Sequence, residues 1–140
     1  MPITVTAPEG VLTVAGERDV LPRLTDALIE ASGAVGNSFF KALVGGTVHI
    51  LPRERIYAGG SNRPVVMVEL KLPNIGLASP EARGAFIAAA AEIIADLSVP
   101  EHKPDNTWIN IVNAPDGGWG VGSQQYTGEA LIAAVVAAAH

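Results

Sequence analysis

The chain has 140 residues, enough for one domain around one core, and 49% are apolar against 16% charged. A net charge of −5 and a pI near 5.0, with no basic run and no aromatic–basic interleaving, argue against nucleic acid as a partner. The absence of cysteine excludes a disulfide framework and any thiolate metal site.

Met1-Pro2-Ile3-Thr4-Val5 lacks the positive segment and apolar core of a signal peptide, and Ile3 to Ala7 alternates as a strand. A turn through Pro8 and Gly10 follows. Val20, Leu21, Leu24, Ala27, Leu28 and Ala31 then recur at helical spacing. Asp19 is placed to cap that helix, Pro22 falls in its first turn, and Gly33 stops it. Phe39 to Leu43 reads as a short helical turn before Gly45-Gly46. No Lys-Ser/Thr follows that glycine pair or Gly59-Gly60, so hairpin-turn and strand-edge roles are expected rather than a phosphate loop.

Thr47 to Leu51 reads as a strand, Arg53 to Ala58 as a second extended piece, and Pro64 to Leu72 as the clearest strand, apolar but for Glu69 and Lys71. Ser79-Pro80-Glu81 combines a hydroxyl cap, a proline at the first helical position and an acid facing the helix dipole. That helix runs to about Ser98. Its apolar stretch, Phe86 to Leu97, is broken by Glu92 and Asp96 and is too short to span a bilayer. Thr107 to Val112 and Trp119 to Val121 read as strands, and Thr127 caps a final Ala-rich helix. The order gives two β-α-β units with right-handed crossovers on one face of a mixed sheet, an α+β class. His49, His102 and His140 lack i, i+4 spacing, so no metal site is expected.

Three blocks stand in a fixed order. Pro2 follows Met1 and leads into a strand. Val48-His49-Ile50-Leu51-Pro52 precedes Gly59-Gly60-Ser61 and Pro64. Trp108-Ile109-Asn110 precedes a Gly-rich turn and Trp119-Gly120. Together, over residues 2–33 and 47–122, they resemble the tautomerase superfamily, in the branch of macrophage migration inhibitory factor. The resemblance implies β-α-β-β-α-β subunits in a homotrimer, here with an added C-terminal helix, and active sites at subunit boundaries. It also implies an N-terminal proline, freed by loss of Met1, acting as general base without a cofactor.

The chemistry suits that residue. An α-amine titrates near working pH, an apolar pocket disfavours its ammonium form, and a base poised near 7 serves proton abstraction beside a carbonyl. The developing enolate oxygen needs a cation or fixed donors. Members of the family often carry a lysine after the glycine that ends the first helix; here Ala34 stands there. Lys41 is the candidate cation, with Lys71, Arg53 and Arg55 as rivals. Asn110 and Trp108, two residues apart on one strand face, are implied to line the pocket entered by the neighbouring subunit. A backbone-satisfied asparagine is the structural alternative. Trp119 reads as a lid aromatic or an interface anchor, Tyr57 as a rim residue, and His49 as structural.

The expected function is a cofactor-independent keto–enol tautomerase on a small 2-keto or enol acid. One alternative is a hydratase, dehalogenase or decarboxylase on a small unsaturated acid, drawing on Arg53, Glu54 and Arg55. Another is a non-enzymatic trimeric binding or signalling protein. A soluble cytoplasmic chain is expected, whose partners are its own copies and a small carboxylate rather than nucleic acid or membrane.

Overall fold

Ile3, Val5 and Ala7 are fully buried while Thr4 and Thr6 are not, so strand β1 (Pro2–Pro8) packs one face and leaves the other open. The computed structural model describes residues 1–139, and His140 lies outside them. Helix α1 (Val14–Ala31) follows, then the five-residue α2 (Ser38–Ala42) and strand β2 (Gly45–Leu51). A small hairpin of β3 (Tyr57–Ala58) and β4 (Ser61–Asn62) leads to β5 (Val66–Leu72). Helix α3 (Pro80–Leu97) and β6 (Thr107–Asn113) complete the second crossover. A second hairpin, β7 (Trp119–Val121) and β8 (Gln124–Tyr126), precedes α4 (Gly128–Ala138).

The main sheet has the order β2-β1-β5-β6, with β1–β2 and β5–β6 parallel and the central β1–β5 pair antiparallel. Two β-α-β units thus meet back to front. Helices α1 and α3 pack on each other and on the buried sheet face, where Val20, Leu24 and Leu28 meet Phe86, Ala90 and Ile94 over Ile3, Val5, Val68 and Leu70. Apart from Ala90, each of these side chains contributes roughly 1.5–3 kcal/mol by leaving water.

The three helix-start expectations divide. Ser79 accepts from the Ala82 N–H and Thr127 from the Ala130 N–H, as their sequence contexts foretold. Asp19 does not cap α1. Thr13 does, its hydroxyl accepting from the Gly16 N–H at 2.9 Å, and Asp19 instead pairs with Arg18. The helix therefore starts a turn and a half earlier, and Pro22 lies in its interior rather than its first turn. Gly16 makes this start possible: a Cβ there would collide with the Leu97 carbonyl at the end of α3.

The segment Arg53 to Ala58 is not one extended piece. Arg53–Arg55 closes a 3-10 turn, with the Arg55 N–H donating to the Pro52 carbonyl at 2.9 Å, and only Tyr57–Ala58 is strand. Gly59 and Gly60 both take positive φ in the hairpin turn that follows. Gly45 and Gly46 form no hairpin; they open β2 beside β1. A Cβ on Gly46 would collide with the Ile3 carbonyl, which fixes glycine at the closest approach of the two strands. Among the described residues no helix is long and apolar enough to cross a membrane.

Candidate active site

The open sheet face is built by alternation. Thr47, Thr4, Glu69 and Asn110 stand in register across the four strands, and His49, Thr6, Met67 and Trp108 form the next row. Pro2 pairs with Gly45 at the end of β1. Leu70 pairs with Ile3, so the next residue of β5, Lys71, falls level with Pro2, and its side chain is exposed.

A cavity of about 330 Å³ surrounds that end of β1. Met1, Pro2, Leu43, Gly45, Thr47 and Val121 form most of its wall, a lining that is apolar apart from the threonine. Met1 is buried and belongs to the main core. Its ammonium donates to the Leu43 carbonyl, and its carbonyl accepts from the Gly45 N–H at 3.3 Å. Burial holds the Met1 ammonium below the ordinary range of an α-amine, since the low-dielectric surroundings penalise charge.

The other residues singled out in the sequence are spread over the subunit. Lys41, on α2, lines a different cavity of about 440 Å³ with Asp26, Ile29, Glu30 and Val35. Asn110 and Trp108 share the open face of β6, and β5 lies between them and β1, a lateral offset of about 10 Å. The Trp108 indole N–H donates to the Asp105 carbonyl, and the Arg63 guanidinium sits over its ring. Trp119 packs on the core, its ring 5.6 Å from that of Tyr126. Tyr57 is exposed on the β3–β4 hairpin. Arg53 donates to the Glu9 carbonyl at the far end of β1, about 20 Å from Pro2 along the strand. Ala34 is buried behind Gly33.

Sequence reasoning passed over Leu43, Gly45, Thr47 and Val121 as cavity residues. The available signal was the glycine pair directly before an alternating strand, which marks a close backbone approach rather than a turn. Among the described residues no group of three or more His, Asp or Glu side chains is gathered to hold a metal ion.

No protein-family model matches the chain, and no curated protein matches it by sequence. Solved structures do match. A fused 4-OT solved as an asymmetric trimer is 25% identical, with 94% of this chain and 98% of that one covered and a TM-score of 0.74. The structure of N1, a member of the cis-3-chloroacrylic acid dehalogenase family, is 14% identical, covering 92% and 87%, with a TM-score of 0.73. Macrophage migration inhibitory factor of Toxoplasma gondii is 15% identical, covering 90% and 100%, with a TM-score of 0.67. The chain has the tautomerase-superfamily fold. Within this tautomerase fold, Pro2 heads a central strand, with the parallel neighbour β2 on one side and the antiparallel neighbour β5 on the other.

Proposed function

We propose that the chain is a cofactor-independent keto–enol tautomerase acting on a small 2-keto or enol acid, with the Pro2 amine as general base once Met1 is removed. The observation that carries this reading is the position of the Met1–Pro2 peptide in the wall of the 330 Å³ cavity at the head of β1. Burial disfavours the charged form of the Met1 ammonium at this end of β1, and a general base must be neutral to act. The pyrrolidine ring fixes the direction of the lone pair, so little freedom is lost in aiming it.

Homotrimer formation belongs to this proposal. It is supported by the trimeric 4-OT of the same fold and by exposed Tyr57, Trp108, Val112 and Val121, apolar surface that a subunit boundary would cover. In such an assembly Asn110, Trp108, Trp119 and Tyr57 are candidates to complete a neighbour's pocket. The hydratase or dehalogenase alternative gains nothing within one subunit, since Arg53 is held at Glu9, at the other end of β1. The deciding experiment pairs mass spectrometry of the N-terminus with an enol–keto assay on phenylpyruvate. Turnover by Met1-free protein that Pro2→Ala removes supports the reading; Met1-free protein without turnover overturns it.

A further inference from the structure

The tautomerase reading leaves one function unassigned: with Ala34 in place of a lysine, something else must hold the enolate oxygen. The backbone at the head of β2 offers a group already in position. The Gly45 N–H donates to the Met1 carbonyl oxygen, the atom one bond beyond the carbon attached to the Pro2 nitrogen. That oxygen lies about 2.3 Å from the Pro2 nitrogen by amide geometry. Excision of Met1 removes the acceptor and leaves the donor. It also removes a buried side chain from the core, enlarging an apolar space beside Pro2. The freed N–H lies at an exposed strand end, open to an incoming oxygen.

We propose that the Gly45 backbone N–H is the oxyanion donor of the site, taking the substrate oxygen on the side that the Met1 carbonyl now occupies, moved out from the Pro2 nitrogen to non-bonded distance; this rests on Pro2 being the base. The steps balance. The Pro2 nitrogen takes a proton from the carbon beside the substrate carbonyl. The C–H electron pair becomes the C=C bond, and the C=O π pair moves to oxygen, which accepts from the Gly45 N–H. The Pro2 ammonium then returns its proton to the other terminus of the enolate system, restoring the free amine. Glycine is suited to the place: a Cβ on Gly45 would meet nothing within 4 Å, so the opening above the N–H stays wide enough for a ligand.

Two variants and one spectrum test the assignment on full-length, Met1-free protein. Gly45→Ala keeps the N–H, so it should lose at least about tenfold less kcat than a variant without it. Gly45→Pro lacks the N–H at a strand's first residue, where proline is tolerated, and kcat should fall about 100- to 1000-fold with a smaller change in KM. Equal losses in the two variants, or an unimpaired Gly45→Pro, overturn the donor. The spectrum needs no variant to fold: oxalate, a planar mimic of a 2-keto acid enolate, should move the Gly45 amide proton downfield in Met1-free protein and leave it in place in Met1-bearing protein. An unmoved Gly45 amide in the oxalate-bound Met1-free protein overturns the donor. If the amide moves but turnover is absent, the base reading falls and takes the oxyanion role with it, leaving Gly45 as a donor to a bound carboxylate only. If turnover depends on Pro2 while Gly45→Pro is unimpaired, the donor falls alone.

Discussion

Pro2 and Gly45 face each other across the parallel β1–β2 pair, and the Gly45 N–H bonds the carbonyl that blocks the Pro2 nitrogen. The proposed base and donor therefore belong to adjacent strands of one sheet, and the β ladder sets their relative placement.

Pro2→Ala in Met1-free protein should lower kcat/KM for phenylpyruvate enol conversion by about 100- to 10,000-fold, the usual range for a lost general base. In the wild type the base works only when neutral. Activity should therefore rise with pH to a plateau and be lost as pH falls through the amine pKa. Burial holds the Met1 ammonium at this end of β1 below its ordinary range. A stopped-flow pH–rate profile reads both effects.

Lys71 and Lys41 can be separated by kinetics. Lys71 stands level with Pro2 on the open face, whereas Lys41 lines another cavity of the subunit. Lys71→Met should raise KM for a carboxylate substrate about tenfold at low salt, and Lys41→Met should leave it within about twofold. A larger KM effect at Lys41 would mean that the substrate enters from α2, across a subunit boundary.

Gly46→Ala should destabilise the protein by about 1–3 kcal/mol, because its Cβ collides with the Ile3 carbonyl and with the Leu21 side chain. Urea denaturation of the two alanine variants should show Gly45→Ala close to wild type and Gly46→Ala clearly lower. The two adjacent glycines thus have different tasks, one sparing the packing and the other the opening.

His102 should give the fold an acid sensitivity. Its Nε2 meets the Thr107 hydroxyl at 2.7 Å, while Nδ1 is buried without a partner among the described residues. Burial holds the imidazole below its ordinary pKa. The unfolded chain therefore takes up the proton first, and stability is full above about pH 6.5 and declines as pH falls below it. The urea midpoint of wild type should drop more between pH 7.5 and 5.5 than that of His102→Gln.

Much of the architecture was legible because its signals are local. Thr127 and Ser79-Pro80-Glu81 mark helix starts by chemistry that needs no tertiary partner, and the alternation of Ile3 to Ala7 fixes which face is buried. The start of α1 was not legible, since Thr13 caps it only where Gly16 lets the helix approach the end of α3, a contact between distant residues. Pro2 stood out through its position and the motifs after it. Gly45 did not, because its part depends on a strand pairing that brings residues 2 and 45 together, and a backbone N–H leaves no trace in side-chain chemistry.

The burial of Met1 also sets a clock. Val66, where the second neighbour of β1 begins, leaves the ribosome's catalytic centre roughly 3–13 s after the N-terminus at usual synthesis rates. Until then β1 has no complete sheet to enter, and its first peptide bond is open to an aminopeptidase. Once the sheet closes, the Met1 side chain is in the core and its ammonium is bonded to Leu43. The trimming that the proposed mechanism requires therefore belongs to synthesis: folded chains that keep Met1 should resist methionine aminopeptidase, and yield to it after unfolding.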